Sequence, residues 1–389
     1  MRANSALVIE PAQSWKRLQA AKEFFIENLD EFLHAQHKAV LEELMLQERE
    51  CFLNAHPYQR HEGRVDQANG FYRRHLTTRA GTFELSVPRS RSGLFRSQVV
   101  PRYARRDQAV NEAIKSVFLL GVSTRQTGRA LAALVEDAVS ASTVSSVCKV
   151  LDRAVERYHR RALQDHYEYL LLDGVSVRLR LVGAVRRRMV LCAYGITAEG
   201  KRELIDFLIV KAEGEDTWKT FLLDLYRRGL VGQNLRLVVT DGQKGAAKAI
   251  AFVWPRAAHQ RCWAHKLRNL SNRLKRSQDR CVDEARAIYA AGTRQQAIQE
   301  FRLWKKRWNK EAPEAVRCLE SDLEALLEFF ECPRALWKKL RTTNAIERLF
   351  VEVRRRIRTM CAFTTRSSCE RILFSVFNRM NNYWETRPL

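Results

Sequence analysis

The sequence has no long apolar run of the kind a membrane span requires. No stretch approaches about eighteen consecutive uncharged apolar residues, so we expect no membrane-spanning helix. The N-terminal segment MRANSALVIEPAQSW lacks the apolar core of a signal peptide. The nine cysteines are scattered without a regular framework, as in reduced intracellular thiols. These absences predict a cytoplasmic protein. The missing G-x-x-x-x-G-K-[ST] loop also indicates no nucleotide cofactor.

Acidic residues are also few relative to basic ones. The chain has 44 Asp and Glu against 68 Lys and Arg, a formal net charge of +24. Residues 60–107 hold eleven Arg and four acids, and residues 341–389 hold ten Arg and four acids, with no Lys in either. Arginine suits bidentate phosphate contacts. We therefore predict double-stranded DNA as the partner. An anionic membrane surface is the weaker alternative, because no long basic amphipathic helix with an aromatic face stands out.

The N-terminal part shows three local patterns. Residues 11–56 mix apolar and charged positions at helical spacing. In residues 71–91, apolar and polar residues alternate after Ala80-Gly81, which predicts a small β-hairpin. The segments GVSTRQTGRALAAL and SASTVSSVCKVLDRA predict two short helices with Ser or Thr caps, Ser142 or Thr143 in the second. This layout fits a DNA-binding helix-turn-helix, with an ordinary helical hairpin as the alternative.

From about residue 167 the patterns become those of an α/β protein. Three strand-like segments, EYLLLDGVSVRLRLV, RRMVLCAYGI and ELIDFLIV, predict an antiparallel meander. An amphipathic helix then leads to two more strands, LRLVVTD and AAHQRC, interleaved with helices. Residues 275–335 have a helical pattern with no strand signal. This order predicts a ribonuclease H-like core that contains an all-helical insertion.

Three acidic residues occupy suggestive places in this order. Asp173 lies within the first core strand, Asp241 ends the fourth, and Glu347 lies in the first turn of the late helix RTTNAIERLFVEVRRRIR. The first and fourth strands should be neighbours, so the aspartates should approach each other. Carboxylates that converge repel one another unless a cation binds them, and Mg²⁺ or Mn²⁺ is the expected ion. Two such ions would support phosphoryl transfer.

Each acid also has a simpler interpretation. Asp-Gly is a strong turn dipeptide, so Asp241 can be only a turn residue. Glu347 can be a helix N-terminal acid stabilised by the helix dipole, with Glu331 and Glu352 as rivals for a catalytic role.

Several sequence blocks resemble one family. LLLDGVSV, LRLVVTDGQKGAAKAI, HQRCWAHKLRNL and RTTNAIERLFVEVRRRIR look like the mutator-type transposases of bacterial insertion sequences, in that joint order. The resemblance implies a DDE transposase with the triad Asp173, Asp241 and Glu347. Such an enzyme binds terminal inverted repeats, frees 3′-hydroxyl ends and joins them to DNA. It also implies at least a homodimer, in a bacterial, nucleoid-associated setting.

The family's Cys-x-x-His pair corresponds to Cys262 and His265. Zinc is not expected there, because a structural zinc site needs four ligands and only His259 is another nearby candidate. We predict a packing or DNA-end role instead. Trp263 is either a core residue or a platform that stacks on a displaced base.

The resemblance and the charge pattern together suggest a set of DNA contacts. The predicted DNA-binding residues are Arg73, Arg74, Arg89, Arg91, Ser145, Ser146, Lys149, Cys262, Trp263, His265, Lys266, Arg268, Arg354, Arg355 and Arg358. Two rival functions remain open: a non-catalytic DNA-binding protein, and a nuclease of the same fold.

The patterns divide the chain into six segments. These are an N-terminal helical region for dimerisation or DNA binding (1–62), a basic β-hairpin and linker (63–106), a helix-turn-helix-like domain (107–162), the first part of the core (163–274), the helical insertion (275–340) and the last part of the core (341–389).

Overall fold

A computed structural model describes residues 11–60, 62–135, 139–181, 183–275 and 278–388. The chain forms two compact units. The first comprises Met1–Phe118 and Thr124–Val147, and the second comprises Leu119–Ser123 and Cys148–Leu389.

The first unit is built on one long helix and a hairpin. Helix α1 is continuous over Pro11–Leu53, where the sequence predicted several helices. Strands β1 (Ala68–Thr78) and β2 (Gly81–Ser90) pair antiparallel around the predicted Ala80-Gly81 turn. Gly81 has a φ of 106°, a conformation that favours glycine. The alternating apolar residues of β2 are buried and form a small core with Met45 of α1.

Four shorter helices follow the hairpin: α2 (Gln108–Leu119), α3 (Thr124–Val135), α4 (Ala141–Cys148) and α5 (Val150–Arg160). The second predicted helix is broken at Lys149, so α4 has only eight residues. Its N-terminus is capped by Ser140, whose Oγ accepts from the Thr143 N–H at 3.1 Å, rather than by the predicted Ser142 or Thr143.

The second unit contains a mixed five-stranded sheet in the order β5-β4-β3-β6-β7. Strands β3, β4 and β5 are antiparallel neighbours, whereas β6 runs parallel to β3, and β7 parallel to β6. The predicted α/β class is confirmed, with all five predicted strands present. Their bounds are β3 Tyr167–Leu181, β4 Ala184–Thr197, β5 Arg202–Val210, β6 Leu237–Thr240 and β7 Ala258–Arg261.

Helices α6 (Glu215–Arg227) and α7 (Lys244–Val253) pack their apolar stripes into the core formed with the sheet. In α6 the buried side chains are Trp218, Phe221, Leu222 and Leu225, at the spacing of one helix face. Each large side chain fully buried in this way stabilises the fold by roughly 1.5–3 kcal/mol.

The rest of the second unit is helical. In the described residues between 278 and 340 there is no strand, as the sequence predicted. The remaining helices are α8 (Trp263–Ser271), α9 (Asp279–Ala290), α10 (Arg294–Trp308), α11 (Pro313–Glu320), α12 (Leu323–Leu327), α13 (Trp337–Leu340), α14 (Asn344–Met360) and α15 (Arg366–Glu385), with 3₁₀ turns at Glu328–Glu331 and Arg334–Leu336.

A buried ion-pair network ties β5 to two helices. Asp206 of β5 is 2% exposed. Its Oδ1 lies 2.7 Å from His159 Nδ1, and its Oδ2 lies 2.5 Å from Arg228 Nη2. Arg228 also pairs with Asp224, which is largely exposed.

We expect Asp206→Ala to lower the free energy of unfolding by about 3–5 kcal/mol, because it removes the buried carboxylate that pairs with both His159 and Arg228 and leaves Arg228 only its exposed partner Asp224. Asp224→Ala removes an exposed partner of the same arginine and should cost less than about 1 kcal/mol. Urea denaturation of both variants checks this, and equal losses would contradict it.

Candidate active site

The sheet brings Asp173 and Asp241 together. The parallel register of β3 and β6 pairs Tyr169 with Leu237 and Leu171 with Val239. Continuing this register for two residues along both strands places Asp173 opposite Asp241, the first residue after β6. The predicted proximity of the two aspartates therefore follows from the observed pairing.

Asp241 occupies a tight turn as well. Its Oδ1 accepts from the Gln243 N–H at 2.9 Å. Gly242 has a φ of +94°, and a Cβ there would lie 2.1 Å from Arg261 Nε. The Arg261 Nη2 donates to the Gly242 carbonyl at 2.7 Å. Glycine therefore lets the arginine cover this turn, and the turn interpretation of Asp241 is compatible with a role for its carboxylate.

Glu347 reaches the same region from α14. Its N–H donates to the Thr343 carbonyl at 3.1 Å, and its Oε1 lies 3.6 Å from His265 Nε2. The rival acids are engaged elsewhere. Glu352 pairs with three arginines of α14 and α15, and Glu331 lies 3.4 Å from Arg294.

Electrostatic interactions link the three predicted acids. Asp173 is 8% exposed, and this burial is the main cause that raises its pKa to about 7. The Gly174 N–H, which donates to its Oδ1 at 2.8 Å, and the charge of His265 oppose the rise. The charges of Asp241 and Glu347 reinforce it. The pKa of Asp173 is therefore shifted as expected for a carboxylate close to other acids in a poorly solvated place.

Cys262 and His265 form a second pair beside these acids. Contact with the Cys262 sulfur raises the pKa of His265 to about 9, against the opposing effect of burial. For Cys262, burial favours the thiol, but contacts with His265 and Thr343 outweigh it and hold the pKa below its usual value. The Thr343 N–H and Oγ1 lie 3.2 and 3.4 Å from this sulfur. The raised pKa favours the protonated form of His265, which lies beside Glu347.

The donor set determines which cation the site suits. Asp173, Asp241 and Glu347 offer only carboxylate oxygens, which hard divalent cations prefer. Across the described part of the chain, no three acidic, histidine or cysteine side chains converge closely enough to hold a metal ion in this arrangement. Glu347 instead lies 3.6 Å from His265 Nε2.

A fourth acid near the site, Glu213, was not predicted from the sequence. Its Oε1 accepts from Trp218 Nε1 at 3.0 Å, and the same N–H lies 3.2 Å from Gln243 Oε1. Burial and then the charge of Asp241 raise the pKa of Glu213. The only signal in the sequence is its place between the end of β5 and the start of α6.

Three of the residues predicted to contact DNA are buried instead. Trp263 is 1% exposed, and its Nε1 donates to the Leu326 carbonyl at 2.7 Å, so the core interpretation of this residue fits the structure. Lys266 is also buried and pairs with Asp322. Cys262 is fully buried. A buried side chain has no surface to present to DNA, so we assign these three to packing and to positioning.

The predicted contacts in the first unit differ in their surroundings. Arg74 donates to the carbonyls of Pro101 and Ala104, which fixes the segment after the hairpin. Arg73 lies 3.6 Å from Glu84, and Arg91 donates to Gln67 at 3.0 Å. The remaining predicted contacts in both units are exposed or half-buried: Arg89, Ser145, Ser146, Lys149, His265, Arg268, Arg354, Arg355 and Arg358.

Comparison with known proteins assigns the family. The model of the Mutator family of transposases matches residues 9–387, so the chain belongs to this family. It is 34% identical over 366 residues to the transposase for insertion sequence element ISRM5 of Rhizobium meliloti, covering 94% of this chain and 91% of that protein. It is 32% identical over 354 residues to the transposase for IS256 in transposon Tn4001 of Staphylococcus aureus, covering 89% of each.

Similarity to solved structures is much weaker. A chain of the simian T-cell lymphotropic virus intasome in complex with PP2A regulatory subunit B56 gamma matches at a TM-score of 0.18 and 10% identity, over 55% of this chain and 65% of that one. That value is too low to assign a fold. Among the described residues, no helix is long and apolar enough to cross a membrane.

We expect Gly242→Ala to destabilise the protein by about 1–3 kcal/mol, because it combines a strained φ with a clash against Arg261. Gly183→Ala is the matched control: its φ is +75°, but nothing lies within 4 Å of the added Cβ. It should cost about 1 kcal/mol. Thermal unfolding distinguishes the two, and equal losses would show that Arg261 does not restrict this turn.

We expect Asp173→Asn to stabilise the metal-free protein at pH 8. The folded-state pKa of about 7 lies above the ordinary value of 3.8, so the folded state prefers the protonated acid. Ionisation of Asp173 therefore lowers the free energy of unfolding. This destabilisation reaches its full size above pH 7 and disappears as the pH falls toward 4.

The gain at pH 8 should be of the order of 1–2 kcal/mol, or roughly 2–5 °C in melting temperature. It should shrink at pH 5.5. Asp216→Asn, an exposed acid in the first turn of α6, should give no gain in stability at either pH, and its small cost of less than about 1 kcal/mol should be the same at both. A gain that is the same at both pH values would refute the assignment to charge.

Proposed function

We propose that this protein is the transposase of an insertion sequence. It would bind the terminal inverted repeats of its element, cleave DNA to free 3′-hydroxyl ends and join those ends to another DNA. The observation that carries the proposal is the pairing of β3 with β6, whose register, continued by two residues, aligns Asp173 with Asp241. The charges of Asp241 and Glu347 both act on Asp173. Membership of the Mutator transposase family supports the same chemistry.

We further propose that the sheet and its helices are a ribonuclease H-like core. Three antiparallel strands followed by two parallel strands, with β3 in the centre, support this assignment. The helical residues 278–340, between α8 and α14, would be the insertion. Glu347 then enters from the first helix after the insertion.

Asp173, Asp241 and Glu347 would hold Mg²⁺ or Mn²⁺, with two ions per site. Such ions would activate a water or a 3′-hydroxyl and stabilise the leaving 3′-oxygen of an in-line phosphoryl transfer. The chain's own part is to hold the acids in place. Gln243 N–H orients Asp241, and the register of β3 fixes Asp173.

His265 has a separate part in this scheme. Its imidazolium lies 3.6 Å from Glu347 and balances the charge of that acid. Thr343 contacts the Cys262 sulfur and also accepts the Glu347 N–H, so it links the Cys-x-x-His pair to the start of α14. We propose that Cys262 and His265 position Glu347.

Double-stranded DNA is the proposed partner, and action on two ends would require at least a homodimer. The net charge of +24 supports attraction to DNA at long range. The exposed Arg89, Ser146 and Arg268 are retained as proposed contacts.

We expect Asp241→Asn to lower strand joining by at least about 100-fold while DNA binding is unchanged, because the amide keeps the turn's hydrogen bond but loses the charge. The assay is joining with Mg²⁺ or Mn²⁺ on a duplex that carries the DNA bordering the gene. Asp216→Asn serves as the charge-matched control and should join normally.

Two outcomes would redirect the proposal. Joining that survives Asp241→Asn would exclude this acid from the reaction. Cleavage by the wild-type protein without any joining would indicate a nuclease, and binding without cleavage would indicate a non-catalytic DNA-binding protein.

A further inference from the structure

A cleft lined by arginines lies between the β3–β4 pair and α14. Arg178 of β3, Arg187 of β4, and Arg354 and Arg358 of α14 line it. The other lining residues are Ser176, Val177, Ile357 and Cys361. Four arginines thus line the cleft, and none of the described residues that line it is acidic.

Two of these arginines stand directly opposite each other. Arg178 pairs with Arg187 in the antiparallel register of β3 and β4. Like charges at directly opposed positions destabilise a sheet unless something neutralises them. Both side chains are exposed, and the described residues offer neither of them an acidic partner within ion-pair distance.

The arginines of α14 separate into two groups. Arg355 and Arg356 pair with Glu352 at 3.1 and 2.7 Å. Arg354 and Arg358 turn to the cleft instead, and among the described residues they too form no ion pair. The predicted DNA contact at Arg355 therefore lies outside the cleft, although its neighbours line it.

The cleft also extends from the candidate active site. Arg354 and Arg358 follow Glu347 by seven and eleven residues on α14, so all three lie on one helix face. The rise of an α-helix places them about 10 and 16 Å along the axis from Glu347. Arg178 follows Asp173 by five residues on β3, an odd spacing that puts their side chains on opposite faces of the strand. Helix α14 is therefore the element that leads from an acid to the arginines of the cleft.

We propose that this cleft binds the phosphate backbone of the DNA strand that enters the candidate active site. Four guanidiniums with no ion pair to any residue that the structure describes match a row of phosphates, which arginine contacts through two parallel hydrogen bonds. A bound strand also relieves the repulsion between Arg178 and Arg187. The identity of the reacting strand rests on the proposed function, whereas binding of phosphate backbone in the cleft can be measured without it.

The first test measures affinity for DNA as a function of salt. Full-length Arg178→Gln/Arg187→Gln and Arg354→Gln/Arg358→Gln variants are titrated with a fluorescein-labelled duplex of random sequence, without divalent metal. We expect each double variant to bind at least about tenfold more weakly. The slope of log K against log salt should become shallower by about 2, which is roughly 0.9 for each lost phosphate contact.

Arg366→Gln is the matched control, because Arg366 is exposed and pairs with Glu370 at 2.8 Å. It should leave affinity and slope within error of the wild type. If the double variants bind and respond to salt as Arg366→Gln does, the cleft is not a DNA site.

The second test locates the DNA. Cys361 is exposed and lines the cleft. A duplex whose tether on one phosphate ends in an activated mixed disulfide should exchange with the Cys361 thiolate, forming a protein–DNA disulfide and releasing the leaving thiolate. Cys361→Ser should abolish this cross-link. Cys51 is an exposed thiol of the first unit and serves as the internal comparison. A cross-link that forms at Cys51 and not at Cys361 would overturn the assignment.

The two proposals fail in different experiments. Joining that survives Asp241→Asn rejects the proposed chemistry but leaves the affinity and cross-linking results standing. Unchanged affinity of the arginine variants, with joining still lost in Asp241→Asn, rejects only the cleft.

Discussion

The parallel pairing of β3 with β6 is the contact on which the candidate active site depends. These strands are far apart in sequence, and the antiparallel meander and α6 lie between them. Their register sets Asp173 beside Asp241, and a shift by one residue would turn one acid to the other face of the sheet. The apolar residues of both strands are buried on both faces, so a slip would have to exchange side chains between two packed faces. Packing of the core therefore determines the geometry of the acids.

Charge balance is the second constraint, and it opposes the first. The sheet holds Asp173 where burial disfavours its ionised form. His265 lies 3.6 Å from Glu347, and its charge also favours the ionised form of Asp173. Negative charge therefore predominates at one end of the site, while the adjacent cleft is lined by four arginines that have no acidic partner within the described part of the chain. The arginines suit a substrate that carries negative charge along its length. The acids suit a cation that binds all three carboxylates.

The sequence patterns predicted the strands and helices better than they predicted which side chains contact one another. Alternating residues in EYLLLDGVSVRLRLV and the apolar run LVV indicated β3 and β6, and the strand order followed from the elements between them. Burial within a helix was harder to predict, because Trp263 and Lys266 look like DNA contacts in a basic segment until the packing of α8 is known. Glu213 carries no periodic signal, since its role depends on the distant Trp218 and Asp241. Pairing of Arg178 with Arg187 likewise depends on the hairpin register.

Asp322 lies at the N-terminus of α12 and receives both Arg261 and Lys266. Arg261 in turn covers Gly242, so one salt-bridged arginine connects the helical segment to the turn that presents Asp241. Gly242 is therefore the contact point between Arg261 and the turn, as well as a turn residue. A displacement of α12 would move the Arg261 guanidinium away from the turn and so give Asp241 more freedom to move. The helical segment thereby restricts the turn at the end of β6, although it contributes no strand to the sheet.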